Sequence, residues 1–134
     1  MSGDWREAIN AFIERKKGFE VSFRNGQVVI SEVKGVSKTK IKTTGLRSYR
    51  VKTLLKSQLE LLKSLSGTLI DARIPFKVTL GPNEFILRFN LDRYVRVHAE
   101  GVSCVGFKDE REEPLSVVVD KLKGYGALKL LKPL

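Results

Sequence analysis

The residues best placed to do chemistry in this sequence are cations. Lys34, Lys38, Lys40 and Lys42 lead into Arg47, Arg50, Lys52 and Lys56, and no carboxylate interrupts them before Glu60. If the first part of this run is extended, Lys38, Lys40 and Lys42 project to one side, because strand side chains alternate. Such a run can neutralise several phosphates and release their counterions, a driving force that is indifferent to base sequence. The plain alternative is a solvated charge run in a loop. A second group follows in Arg88, Arg93 and Arg96, near Phe89, Tyr94 and His98. Single-strand binders combine a cationic groove with aromatic platforms, each stacked base contributing about 1–3 kcal/mol. Tyr94, and Tyr49 inside the basic run, are the residues expected to stack. The alternative for each aromatic is burial in the core. Trp5, Phe12, Phe19, Phe23 and Phe85 are expected to be core.

The whole chain agrees in sign. Its 134 residues hold 25 Lys and Arg against 15 Asp and Glu, a formal charge of +10, with a pI near 9.9. That balance in a small domain points to a polyanionic partner, and nucleic acid is the expected one. Cys104 and His98 are the only members of their kinds. An intrachain disulfide, a zinc site and a Ser-His-Asp or Cys-His set are therefore not expected. There is no GxGxxG or Walker loop, so no catalytic residue, metal or cofactor is expected. Gly124-Tyr125-Gly126 reads as a turn. No apolar stretch reaches the roughly 20 residues of a membrane span, and the N-terminus lacks an apolar signal region. The expected setting is a reducing cytoplasm, associated with the nucleoid. Plentiful Lys, Arg and Glu with few Gln, Cys and Met lean towards a hot environment.

The elements that must position these residues can be read from periodicity. Ser2 or Asp4 can cap a helix over about 4–17, with Trp5, Ile9, Phe12 and Ile13 on one stripe and Gly18 as its stop. Phe19, Val21 and Phe23 alternate with polar residues up to Asn25-Gly26, a type I′ turn signal, and Val28 and Ile30 return on the same face. Ser48 can cap a helix over about 49–65, with Val51, Leu54, Leu55, Leu59, Leu61, Leu62 and Leu65 as its apolar face and Gly67 as its end. Strands are expected over Phe76–Leu80, after a Gly81-Pro82-Asn83 turn over Phe85–Leu91, and over Tyr94–Ala99. Asp109–Glu113 reads as an exposed acidic loop. Pro114–Lys123 suits a third helix, although Val117, Val118 and Val119 also suit a strand. The tail from Gly124 to Leu134 either docks on the body or joins a partner, a second copy included. The class that accommodates this order is α+β: one small domain, an antiparallel sheet with helices packed on one face.

Two resemblances refine these expectations. Glu32-Val33-Lys34 after the hairpin resembles the ExK half of the PD-(D/E)xK nuclease motif of archaeal Holliday-junction resolvases. Glu7 on the first helix and the helix containing Gln58 are similar to that layout too. The resemblance implies a Mg²⁺-dependent, structure-selective nuclease using Glu7, Glu32 and Lys34. The preceding metal-binding Asp is missing, however. Phe19 falls near its place, and Glu20, the nearest acid, alternates onto the other face from Glu32. Secondly, the N-terminal amphipathic helix with Trp5, the Phe19–Ile30 hairpin and the leucine-rich helix resemble the archaeal ThermoDBP single-stranded-DNA-binding proteins and their shorter relatives, over about residues 4–100. That resemblance implies sequence-tolerant binding of single strands in a basic and aromatic cleft. Leu128, Leu130 and Leu131 are too short a run for the leucine zipper of the larger members. The expectation is thus a non-catalytic binder of single-stranded DNA, or RNA, using Lys34, Lys38, Lys40, Lys42, Arg47, Tyr49, Arg50, Lys52, Lys56, Arg88, Arg93, Tyr94 and Arg96. The rivals are the nuclease and a basic accessory subunit of a nucleoprotein complex.

Overall fold

A computed structural model describes residues 4–33, 54–81 and 83–132 of the chain. The elements in chain order are α1 (Asp4–Glu14), β1 (Phe19–Arg24), β2 (Gln27–Glu32), α2 (Lys56–Asp71), β3 (Phe76–Gly81), β4 (Glu84–Arg88), β5 (Tyr94–His98), β6 (Val102–Val105), α3 (Leu115–Tyr125) and β7 (Leu128–Leu131). The strands form one sheet in the order β2-β1-β3-β4-β5-β6-β7. Every pairing is antiparallel except β6 with β7, which α3 joins as a crossover. The fold is the expected small α+β domain.

Alternation along the strands decides which face is covered. Phe19, Val21, Val78, Phe85, Leu87, Val95, Val97 and Cys104 are all buried. They meet Ile9 and Ile13 of α1, Leu62, Leu65 and Leu69 of α2, and Leu115, Val118 and Leu122 of α3 in one core. At about 25 cal/mol per Å² of apolar area, a side chain such as Phe85 contributes roughly 2–3 kcal/mol by this burial. The hairpin follows the expected register, with Val21 opposite Ile30 and Phe23 opposite Val28. Asn25 and Gly26 take φ of 54° and 78°, the conformation a type I′ turn requires. Phe19 and Phe85 lie at the centre of the core, while Phe12, Phe23 and Trp5 pack on its margin.

Several boundaries differ from the expectation, each for a local reason. Neither helix ends at its expected glycine. α1 stops at Glu14, where Lys17 N donates to Phe12 O and Lys16 N to Ile13 O, with Lys16 at φ 60°. α2 repeats the device: Ile74 N donates to Leu69 O and Arg73 N to Ile70 O, with Arg73 at φ 62°. Both are Schellman endings with a long cation where glycine is usual. Gly18 instead lies against β3, where a Cβ would stand 2.5 Å from Val78 O. Gly67 sits inside α2, where a Cβ would meet Trp5 Cη2 at 3.6 Å. α2 also starts later than expected, at Lys56, because Leu55 is extended (φ −70°, ψ 154°). Leu55 is half exposed rather than core. The expected cap Ser48 and the apolar Val51 lie outside the described residues.

The strand expected over Phe85–Leu91 ends at Arg88. Asn90 Oδ1 accepts from Asp92 N and Arg93 N, which turns the chain and leaves Leu91 86% exposed. β6 was not anticipated. Residues 115–125 resolve as helix rather than strand, and the tail docks on the body as β7.

Candidate nucleic-acid interface

The residues that alternate with the core side chains lie on the sheet face that carries no helix. Cross-strand registers arrange them in rows. One row runs Glu20, Lys77, Arg88, Tyr94, Val105 and Leu131. The next runs Thr79, Ile86, Arg96, Ser103 and Lys129. A third places Glu84 beside His98. With strands about 4.8 Å apart, the stretch from β3 to β7 is roughly 19 Å wide.

Within this face Arg88 lies over the ring of Tyr94, its guanidinium carbon 4.5 Å from the centroid. A cation laid on an aromatic ring covers one face of each group and fixes the orientation of both. Arg96 Nε stands 3.5 Å from Glu84 Oε2, and His98 Nδ1 stands 3.6 Å from Glu84 Oε1. His98 Nε2 is 3.1 Å from Ser103 Oγ. Among the described residues, Lys77, Arg88 and Lys129 take part in no ion pair. A shallow groove of about 330 Å³ borders the patch and is lined by Glu20, Ser22, Lys77, Arg88, Phe89 and Asn90 among others.

Three of the expected site residues, Arg88, Tyr94 and Arg96, are therefore brought together. Arg93 is not. It leaves the sheet in the turn after β4, pairs with Glu112, donates from Nη1 to Glu113 O at 3.0 Å and lies 5.1 Å over Phe107. Gly106 admits this closure, since a Cβ there would stand 2.0 Å from Asp92 O. The loop after β6 also takes Lys123 onto Glu110 and Arg111 onto Asp109. Side-chain and backbone hydrogen bonds from Arg111 hold the Asp109 carboxyl below its ordinary value.

Lys56 is exposed in the first turn of α2. That turn sits at the Glu84 and His98 end of the sheet. Gln58, fully buried, accepts from Leu55 N at 2.8 Å and donates to Asn83 O and Val97 O at 3.0 and 3.2 Å. Gln58 is thus a tie between helix and sheet. Lys34, Lys38, Lys40, Lys42, Arg47, Tyr49, Arg50 and Lys52 lie outside the described residues. In sequence, residues 34–53 hold seven of the 25 cations and none of the acids, leaving eighteen cations against fifteen acids elsewhere.

Of the nuclease-like residues, Lys34 lies outside the described residues, and the two acids of the hairpin are kept apart. Glu32 faces Phe19 across the hairpin, whereas Glu20 faces Ser31, so the two acids lie on opposite sides. Glu32 is instead 3.2 Å from Lys17 Nζ. Among the described residues, no group of three or more His, Cys, Asp or Glu side chains could hold a metal ion. Burial, with Glu110 adding, pushes the Cys104 thiol up to about 12, which leaves no thiolate nucleophile near neutral pH. Among the described residues no helix is long and apolar enough to cross a membrane.

Lys77 and Lys129 escaped the sequence reading. Lys77 had a signal, since it alternates with Phe76 and Val78. Lys129 had none, because a four-residue Leu-Lys-Leu-Leu strand has no distinctive period. Comparison with known proteins found no matching family model, no matching curated protein and no matching solved structure. Nothing in those comparisons points to a catalytic activity.

Proposed function

We propose that this protein binds single-stranded nucleic acid without catalysis and largely without regard to base sequence, using the helix-free face of β3–β7 together with the basic segment 34–56. The observation that carries the reading is the cluster of Lys77, Arg88 and Arg96 around Tyr94, with Arg88 laid over the tyrosine ring. Phosphates are the anions such a spread of cations suits, and the half-buried tyrosine ring and guanidinium offer planar groups that suit unstacked bases. A duplex offers its bases edge-on, so the stacking part of this surface acts only on a single strand. The run of lysine and arginine residues in the sequence of 34–56 adds sequence-independent attraction. No metal or cofactor takes part.

Competitive anisotropy with single-stranded, duplex and junction oligonucleotides, DNA and RNA, over a salt series tests the reading. Affinity should rank single strand first and fall steeply with salt, with a log–log slope of about −0.7 per phosphate contacted. Affinity that is flat in salt, or equal for duplex and single strand, would overturn it. Cleavage of any substrate with Mg²⁺ that is lost in Glu32→Ala would replace it with the nuclease.

A further inference from the structure

We infer that Glu84 is an intramolecular competitor for the anion site formed by Arg96 and His98, so that a phosphate of the bound strand enters by displacing its carboxylate. The inference rests on the nucleic-acid reading above and adds a regulator to the same surface.

The geometry singles out Glu84. Five ion pairs, and a contact of Glu84 with His98 that is ionic only when the imidazole is protonated, are present among the described residues, and the two made by Glu84 are the longest, at 3.5 and 3.6 Å. Elsewhere the carboxylates close tightly: Glu32 on Lys17 at 3.2 Å, Asp109 on Arg111 at 3.1 Å and Glu110 on Lys123 at 2.5 Å. Charge-assisted N–H···O bonds settle near 2.7–2.9 Å. Glu84 therefore reaches towards two side chains and closes on neither. The consequence is visible at Arg96, whose Nε is buried with no hydrogen-bond partner. A buried donor left unpaired costs about 1–3 kcal/mol, and so favours any ligand that can reach it.

The surroundings suit a tetrahedral oxyanion better than a carboxylate. Arg96 and His98 lie two residues apart on β5, Ser103 Oγ touches the far ring nitrogen of His98 from β6, and Thr79 and Gly81 border the place from β3. Glu84 is the one acid among them. A phosphate has oxygens pointing along more than one direction, so it can meet Arg96 Nε and His98 together. Displacement also frees Glu84 to swing towards solvent, where its side chain is already 29% exposed. The carboxylate thereby sets a threshold: weak or isolated anions do not displace it, and a strand already anchored at Lys77 and Arg88 does.

The test is Glu84→Gln in the full chain, with Glu60→Gln on the exposed side of α2 as a control of equal charge change. By anisotropy with a labelled single strand, Glu84→Gln should bind about two- to fivefold tighter than Glu60→Gln, the range an exposed ion pair controls. Its salt slope should stay the same, because the strand engages the same phosphates in both proteins once Glu84 has been displaced. The gain should vanish when Arg96→Gln is added. Equal or weaker binding than Glu60→Gln, or a gain that survives Arg96→Gln, overturns the inference. A titration with inorganic phosphate, read on the Arg96 Nε–Hε resonance, separates this from the broader reading. A saturable shift at lower phosphate in Glu84→Gln than in the unchanged protein supports the competitor even if no oligonucleotide binds, in which case it is the nucleic-acid reading that fails. The same shift in both proteins, or none in either, overturns the competitor alone.

Discussion

Arg88, Arg93 and Arg96 lie within nine residues of one another, yet the fold gives them two different tasks. Arg88 and Arg96 stand on strands whose neighbours across the open face are Tyr94, Ile86, Lys77 and a single loosely held glutamate. Arg93 stands in a turn that the loop after β6 approaches with Glu112 and Glu113. A guanidinium with a carboxylate, a carbonyl and an aromatic ring around it has little left for a ligand. Arg88, which among the described residues lies on a tyrosine face and in no ion pair, keeps its charge uncompensated. The difference is not in the arginines but in which distant acid the chain brings up.

Removing each arginine separately should split stability from binding. The largest effect belongs to Arg93→Ala, which strips Glu112 and Glu113 of their partner and uncovers Phe107. It should cost about 2 kcal/mol, read as a lowered Tm, with oligonucleotide affinity changed less than about twofold. Lys77→Ala with Arg88→Ala should do the reverse, lowering single-strand affinity about tenfold while leaving Tm nearly unchanged. Should the Arg93 variant lose binding as strongly as that pair, the division between the two regions is wrong.

The covered face supplies a third contrast, through pH. The Cys104 thiol is raised to about 12 from an unfolded value of 9.0. Between those values the unfolded chain gives up a proton that the native protein keeps, so this group lowers stability as pH rises. Cys104→Val should flatten the alkaline fall by at most about 1.4 kcal/mol per pH unit, measured by denaturant melts from about pH 8 to 11. Below pH 9 the two proteins should differ only by packing, and a thiol reagent should not label Cys104 until the protein unfolds.

The smallest effects lie at the helix ends. Lys16→Gly relieves a left-handed lysine, and Gly67→Ala removes helix-interior glycine where a methyl reaches Trp5 at ordinary contact distance. Each should stabilise by about 0.5–1 kcal/mol. A loss at Gly67→Ala would mean that α1 and α2 approach more tightly than that distance shows.

Much of the fold was legible because its signals are local. The Asn25-Gly26 turn sets the hairpin, and strict alternation marks Phe85–Arg88 and Tyr94–His98. Arg88, Tyr94 and Arg96 could be grouped from alternation alone. The helix ends were not legible, because Schellman endings on Lys16 and Arg73 carry no glycine. β6 and β7 were missed because four-residue strands hold only two repeats of the two-residue alternation, too few to mark a pattern. Lys129 therefore had no assigned face. Arg93 shares its spacing with its neighbours and could not be told apart from them.

By itself the sequence determined a strongly basic chain, an α+β class, the hairpin register and the inward side of the central strands, since periods of 2 and 3.6 are properties of adjacent residues. Only the tertiary structure decided which cations are neutralised. Charge pairing depends on residues that are distant along the chain, such as Arg93 with Glu112 or Glu84 with Arg96 and His98, and no local pattern encodes their approach.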